Sequence, residues 1–370
     1  MSEREVICEL IDWRDNGFPL GISMPPRSYY DRDLFSLEKD RIFRQGWVCV
    51  GRSSELQDSG DYITRIVSDQ PLIILKDGAN NLRVMSNVCR HRHALLAKGC
   101  GNVSRIICPY HAWTYNLDGN LIAAPFMAMP KDSGCNLPSY SIQEWHGFLF
   151  VHLGSPVKDI ASLASGLESD LIHYQLDRQF DVYSNEVEIS TNWKMMVENF
   201  TESYHLFRVH PDTLEPYTPT KLLEVGEPGL GFNRHYVYYK EKFRQQPKGR
   251  KVPQPHCDRE VVTCLYPNLL IVAAPDSTVW ACVEPKDVDK ILLRYGVLQH
   301  EAYKNESNYD QIIQEQIDLT EAFNAEDKVL LESIFRGVSA PDAAASTLCP
   351  FEKTILDFAY YYTSVILQKS

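Results

Sequence analysis

The chain has 370 residues, of which 44% are hydrophobic and 23% charged, and it carries a formal net charge of −12. That length accommodates two domains with separate cores, and the acidic balance excludes nucleic acid, whose phosphates would be repelled. Ten irregularly spaced cysteines in so long a chain do not make a disulfide framework, which predicts reduced thiols.

Residues 1–40 mix Pro, Asp and aromatic side chains and predict a segment that wraps the larger domain, followed by a short helix at 34–45. The opening Met1-Ser-Glu-Arg-Glu lacks the apolar core of a signal peptide. From Gly46 to about Ser155, β-rich runs alternate with turns. The stretches 61–67 and 71–76 lead to Asp77-Gly78 and then to 82–85, and Asp-Gly between apolar runs is a hairpin signal. Leu117-Asp-Gly-Asn-Leu121 repeats that signal, and 147–153 reads as another strand.

Between these runs stands Cys89-Arg-His91, then sixteen residues, then Cys108-Pro-Tyr-His111. Each pair supplies one thiolate and one imidazole. That is the stoichiometry of a [2Fe–2S] cluster with two Cys on one iron and two His on the other. Neutral imidazoles leave the reduced cluster less negative, so the segment predicts an electron relay of moderate potential. A structural Zn site uses the same ligand types, but it usually pairs Cys with Cys and His with His. Here each pair is mixed, and Asn87-Val88 before it and Trp113, Tyr115, Asp118 and Gly119 after it read as strand, metal loop and hairpin turn. His93 and Cys100 break the spacing and read as a loop histidine and a small packed thiol.

Further on, helical patterns fill 157–175, 193–210 and 308–336, and strands fit 181–190, 231–240, 261–283 and 291–300, of the antiparallel kind. The run Asn192-Trp-Lys…Glu198-Asn-Phe-Thr-Glu202-Ser-Tyr-His205-Leu-Phe-Arg-Val-His210-Pro211 predicts one helix ended by Pro211. Spacings of three to five would put Glu202, His205 and His210 near one face. Two His and a carboxylate from elsewhere make the facial triad of non-haem Fe(II) oxygenases. A carboxylate is available in the amphipathic stretch 324–337, where Asp327 would sit in a first helical turn. From chemistry alone Asp327, Glu326 and Asp318 are not ranked. Tyr204 and Asn199 lie close enough in sequence to reach the same pocket. The stretch 241–258, rich in Lys, Arg, Gln and Pro, reads as a surface loop with a lid as the alternative. The last helix, from Pro350, sets Phe351, Ile355, Phe358 and Tyr362 on one stripe, a docking face. The apolar runs 265–274 and 355–367 are too short to cross a bilayer, so the expectation is a cytoplasmic protein without membrane insertion.

Taken together, the Cys89/His91/Cys108/His111 set, Asn-Trp-Lys followed by Glu-Asn-Phe, the E-S-Y-H-x₄-H element and the late E-D-x₄-E-x₃-R-G element resemble a Rieske non-haem iron oxygenase α subunit. The match is ordered along nearly the whole chain. The resemblance implies an α+β fold in which a Rieske antiparallel β domain (46–155) is inserted in a helix-grip catalytic domain (1–45 and 156–370). It makes Asp327 the third ligand beside His205 and His210. It makes Glu202 the carboxylate that joins a Rieske histidine of one subunit to a mononuclear-iron histidine of the next, in a homotrimer. It implies O₂ and a small organic substrate, with electrons from NAD(P)H through a separate flavin or iron–sulfur reductase, directly or by a ferredoxin. Most ring-hydroxylating members carry Asp where this chain has Glu202, and Glu there resembles the branch that oxidises quaternary ammonium compounds such as carnitine. An aromatic ring-hydroxylating or demethylating α subunit is the alternative. A pure electron carrier or redox sensor would leave the second metal set without a purpose, and a Zn hydrolase would leave the cluster motif without one.

Overall fold

In a computed structural model the described residues are 3–127, 133–244 and 246–368. They fall in two compact units, one formed by Lys39–Ile160 and the other by Met1–Glu38 with Ala161–Ser370.

The Lys39–Ile160 unit is built from short antiparallel strands: β1 (Val48–Arg52), β2 (Asp61–Val67), β3 (Gln70–Lys76), β4 (Leu82–Ser86), β5 (Cys100–Asn102), β6 (Ile106–Ile107), β7 (Thr114–Tyr115), β8 (Leu121–Ala123), β9 (Ser141–Trp145) and β10 (Phe148–His152). They form three small sheets in the orders β1-β10-β9, β4-β3-β2-β5 and β6-β7-β8. The turn signals act as expected. The Asp77 carboxylate accepts the backbone N–H groups of Ala79 and Asn81 at 2.8 and 2.9 Å and closes the β3–β4 hairpin. The Asn116 side chain accepts from Asp118 and Asn120, and Gly119 takes the positive φ that this turn requires. The core of the unit gathers Ile73, Leu75, Met85, Ile106, Trp113 and Tyr115, and Cys89 and Cys108 lie in the same cluster.

The second unit centres on a seven-stranded antiparallel sheet in the order β11-β17-β16-β15-β14-β13-β12. Its strands are β11 (Gln179–Ile189), β12 (Leu223–Val225), β13 (Phe232–Tyr238), β14 (Arg259–Leu265), β15 (Leu269–Ala273), β16 (Ser277–Asp287) and β17 (Lys290–His300). The helices are α1 (Glu3–Asp12), α2 (Arg32–Glu38), α3 (Ile160–Ala164), α4 (Glu168–Leu171), α5 (Trp193–Thr201), α6 (Leu206–Val209), α7 (Tyr309–Val338) and α8 (Lys353–Ile366). Helix α5 lies on the central strands β13–β16, α7 covers β11 and β17, and α8 covers β13. The stripe on α8 is core, since Phe358 and Tyr362 are fully buried.

Several elements differ from the sequence reading. The run 261–283 is not one strand but parts of three, because turns at Pro267-Asn268 and Pro275-Asp276 interrupt it. The pattern at 157–175 breaks into short turns around Ser165-Gly166. Residues 3–12 form a helix where no element was expected, and the helix at 34–45 is α2 followed by a π-turn at Lys39–Phe43. The stretch 324–337 is the second half of the 30-residue α7, which runs through Gly337, so Asp327 stands mid-helix and its place owes nothing to a helix N-terminus.

The predicted helix 193–210 is two helices. Its start is fixed as the sequence suggests: the Asn192 side chain accepts the Lys194 N–H at 3.0 Å, and Lys194 and Trp193 bond the buried Glu38 carboxylate at 2.5 and 2.7 Å. The helix stops at Glu202, which takes extended backbone angles (φ −123°, ψ 144°). There the Thr201 hydroxyl bonds back to the Val197 carbonyl, and the Glu202 carboxylate accepts the N–H groups of Tyr204 and His205 at 2.5 and 3.3 Å. A side chain that caps the next turn competes with continuation of the helix.

Candidate metal centres

The Lys39–Ile160 unit presents its four candidate ligands from two loops of the same construction. In each, the residue four after the Cys donates its N–H to the Cys carbonyl and takes a positive φ, namely His93 (φ 61°) after Cys89 and Ala112 (φ 56°) after Cys108. His93 therefore shapes the loop. The two thiols are buried, at 1% and 3% exposure, while His91 and His111 are exposed. The imidazole rings lie 4.7 Å apart, and His91 stacks on Trp113 at 4.8 Å. The Tyr115 hydroxyl stands 3.4 Å from the Cys89 sulfur and accepts the Arg90 N–H at 3.1 Å. Sulfurs inward and imidazoles outward give the two sides of a cluster different surroundings. Among the described residues, the group whose ligand atoms all come within 4.8 Å of one another is a different one.

That other group is His205, His210 and Asp327. The break at Glu202 turns His205 and His210 towards α7, with ring centroids 5.2 Å apart. Asp327 Oδ1 lies 3.1 Å from His210 Nε2 and 3.7 Å from His205 Nε2. The opposite nitrogens are both held by carboxylates. His205 Nδ1 bonds Glu202 Oε1, and His210 Nδ1 bonds Glu326 Oε2 at 2.6 Å, where the Thr213 hydroxyl also donates at 2.8 Å. Each imidazole thus has one nitrogen fixed by a glutamate and the other converging on Asp327. This arrangement ranks the three acids. Asp327 converges, Glu326 orients, and Asp318 on the exposed face of α7 takes a hydrogen bond from Gln314.

Electrostatics favour a cation here. Burial lowers the pKa of His210, but Asp327 and Glu326 outweigh it and the group is held above its ordinary value. Two imidazoles and a carboxylate are the donor set that suits non-haem Fe(II), and a second carboxylate on each imidazole is the usual support for such ligands. The residues fit that ion.

The three residues lie on the wall of a cavity of about 180 Å³. Its floor is one face of the sheet, where Val262, Val272, Val279 and Val297 stand side by side in register across β14–β17. Asn199 lines the cavity, whereas Tyr204 is 40% exposed with its ring near Phe207 and Phe351. Of the two residues proposed to reach the pocket, the helix asparagine does so. Two groups escaped the sequence reading. His235, fully enclosed and bonded to the Ser203 hydroxyl at 2.7 Å, is pushed down to about 3 by burial and by His205, so it stays neutral beside the centre. Glu260 enters the cavity from β14. Neither carries a local motif.

Residues 176–368 match the ring hydroxylating alpha subunit (catalytic domain) family, and residues 46–141 match the Rieske [2Fe-2S] domain. A glycine betaine monooxygenase oxygenase subunit from Chromohalobacter salexigens is 34% identical over 195 residues, 52% of this chain and 44% of that protein. The matched stretch therefore spans less than half the length of that relative. A carnitine monooxygenase oxygenase subunit from Acinetobacter baumannii is 28% identical over 86% of this chain and 85% of its own. The solved structure of a quaternary ammonium Rieske monooxygenase, described with carnitine oxidation and inter-subunit electron transfer, superposes with a TM-score of 0.81 at 22% identity, covering 96% of this chain and 97% of that one. At that identity the likeness is one of fold. With its catalytic-domain match covering more than half of its length and a Rieske domain before it, the chain belongs to the ring-hydroxylating α-subunit family of Rieske non-haem iron oxygenases.

Proposed function

We propose that the chain is the oxygenase component of a system that uses O₂, and electrons from a separate NAD(P)H-dependent reductase, to hydroxylate a small organic substrate carrying a quaternary ammonium or related amine group. The observation that carries the reading is the pairing of the Cys89/His91/Cys108/His111 loops with the closed His205–His210–Asp327 group in one chain. The first set would hold the [2Fe–2S] cluster and the second would hold Fe(II). When bound, these groups supply one-electron relay and O₂ activation.

The chain's own part is to position and to exclude. Glu202 and Glu326 keep the Nδ1 protons of His205 and His210, so both Nε2 lone pairs point at the same place. The valine wall and Leu206, Leu214 and Leu319 give the substrate an apolar seat next to that place and keep bulk water out. Glu202, at 9% exposure, keeps a narrow opening to the surface. Around it Tyr204 and Phe207 are exposed, as are Tyr110 and Ile107 near His111. Exposed apolar residues beside the two ends of a relay suit a head-to-tail contact between subunits, and a contact of that kind whose rotation closes gives a ring, here a homotrimer. Glu202 would then bond His91 or His111 of the neighbouring subunit.

Oxygen consumption by the reconstituted system over betaines, carnitine, choline, simple amines and aromatic acids tests the reading. Consumption coupled to a nitrogen cation is expected. Coupling to aromatic acids alone would assign the chain to the aromatic branch, and no coupling to any substrate would overturn the oxygenase reading.

A further inference from the structure

We propose that Glu260 is the charge-recognising residue of the cavity and that the substrate is an organic cation without a carboxylate group, a choline-like or simple amine rather than a betaine. The inference deepens the oxygenase reading above and rests on it.

It starts from an inventory of charge. Among the described residues that line the cavity, the acidic side chains are Glu202, Glu260 and Asp327, and there is no Lys or Arg. Glu202 is engaged with His205, and Asp327 with the convergent Nε2 atoms. Glu260 alone is left for a ligand. It stands at the first row of the sheet face, opposite Val237 on β13 and next to Ala274 and Ser277, with the valine row immediately beyond it. The Tyr239 hydroxyl donates to its Oε1 at 2.8 Å, and its other oxygen has no hydrogen-bond partner among the described residues. Burial pushes its carboxyl up to about 7, with the Tyr239 bond pulling the other way. A carboxylate kept without a counter-ion in an apolar cavity is costly unless something supplies the opposite charge.

A ligand cation does so. The alternative way to hold a quaternary nitrogen is a cage of aromatic faces. The aromatic lining residues are Phe200 and Phe323, too few to enclose such a group. Charge recognition therefore falls to the carboxylate. A betaine would bring a second charge of the wrong sign into this space. Its carboxylate would meet Glu260 and Glu202 and find no Lys or Arg among the lining residues to pair with.

The test is calorimetric titration of the iron-loaded protein in the absence of O₂, so that it reads binding and not turnover. The probes are choline, n-butylammonium, glycine betaine, L-carnitine and 3,3-dimethylbutan-1-ol, the neutral analogue of choline. At least one of the two carboxylate-free cations should bind about tenfold more tightly than both betaines and the alcohol. Glu260→Gln should erase that advantage while leaving the alcohol's affinity within about twofold, which also reports that the cavity is intact. A betaine as the tightest ligand, cations no better than the alcohol, or an advantage that survives in Glu260→Gln would each overturn the proposal. Oxygen consumption is read separately, so failure of the oxygenase reading appears as absent coupling whatever the binding order.

Discussion

The two candidate centres differ most in how their histidines are treated. His91 and His111 are exposed, His91 stacks on Trp113 and meets His111 edge to face, and neither has a hydrogen-bond partner among the described residues. His205 and His210 are enclosed, and each is held at Nδ1 by a glutamate. The thiolate side of the first centre is buried in a hydrophobic core, whereas every ligand of the second faces a cavity. An electron relay needs an outward edge and no substrate. A reaction centre needs fixed donors and an enclosed space. The contrast supports the proposal that the exposed imidazoles are the exit of the first centre and that an orienting carboxylate is the way into the second.

The sharpest way to break the comparison is to remove one centre at a time. Asp327→Ala should lose mononuclear iron and turnover to background while keeping the visible absorption and reduced EPR signal of the cluster. Cys108→Ser should do the converse to the signals and leave the catalytic unit folded. If either substitution emptied both centres, the two would not be separate sites. A smaller effect follows from the orienting carboxylates. Glu326→Ala leaves His210 without its Nδ1 partner and should cost about 10–100-fold in iron affinity or activity, read by metal titration. Asp318→Ala, on the exposed face of the same helix, should cost neither. On the cluster side, Tyr115→Phe removes the hydroxyl beside Cys89. A bond of about 1 kcal/mol that favours the reduced state corresponds to about 40 mV in a one-electron couple, so the potential should fall by that order in film voltammetry.

The smallest expected effect is one of pH. Burial pushes Glu198 on α5 from 4.5 up to about 8, against Tyr29 and Lys194, which pull it down. A carboxyl raised on folding stabilises fully below about pH 4.5, and that contribution is lost as pH rises through about 8. The melting temperature of Glu198→Gln relative to the unsubstituted protein should therefore climb from pH 5 to pH 8, and a constant difference would contradict the assignment.

How much of this was legible in the sequence follows the same division. The candidate cluster ligands sit in one stretch from Cys89 to His111, flanked by turns whose Asx and Gly chemistry is local, and their spacing pointed to the Rieske domain that the family match shows. His205 and His210 stood out only beside that motif, because two histidines near a helix end are a weak signal by themselves. Asp327 was named through the family resemblance alone, because it comes from a helix 117 residues away from His210 and residue chemistry does not rank it against its neighbour Glu326. The break in the helix at Glu202 was hidden because Trp193–Phe207 contains no Gly or Pro, and the interruption comes from side chains bonding to the backbone. Glu260 was hidden by its place at the start of an apolar strand, where a charged residue reads as solvent-facing. Only the sheet register shows that it shares a face with Val262.

The central claim is that electrons reach the enclosed centre by way of Glu202, and rapid mixing of the pre-reduced Glu202→Gln protein with O₂ and substrate tests it most directly. Glutamine keeps the shape and one acceptor oxygen but removes the charge and half of the acceptor capacity. Both centres should remain loaded and the cluster should be reduced normally, while its reoxidation slows by at least about tenfold. Reoxidation at the rate of the unsubstituted protein would contradict the account.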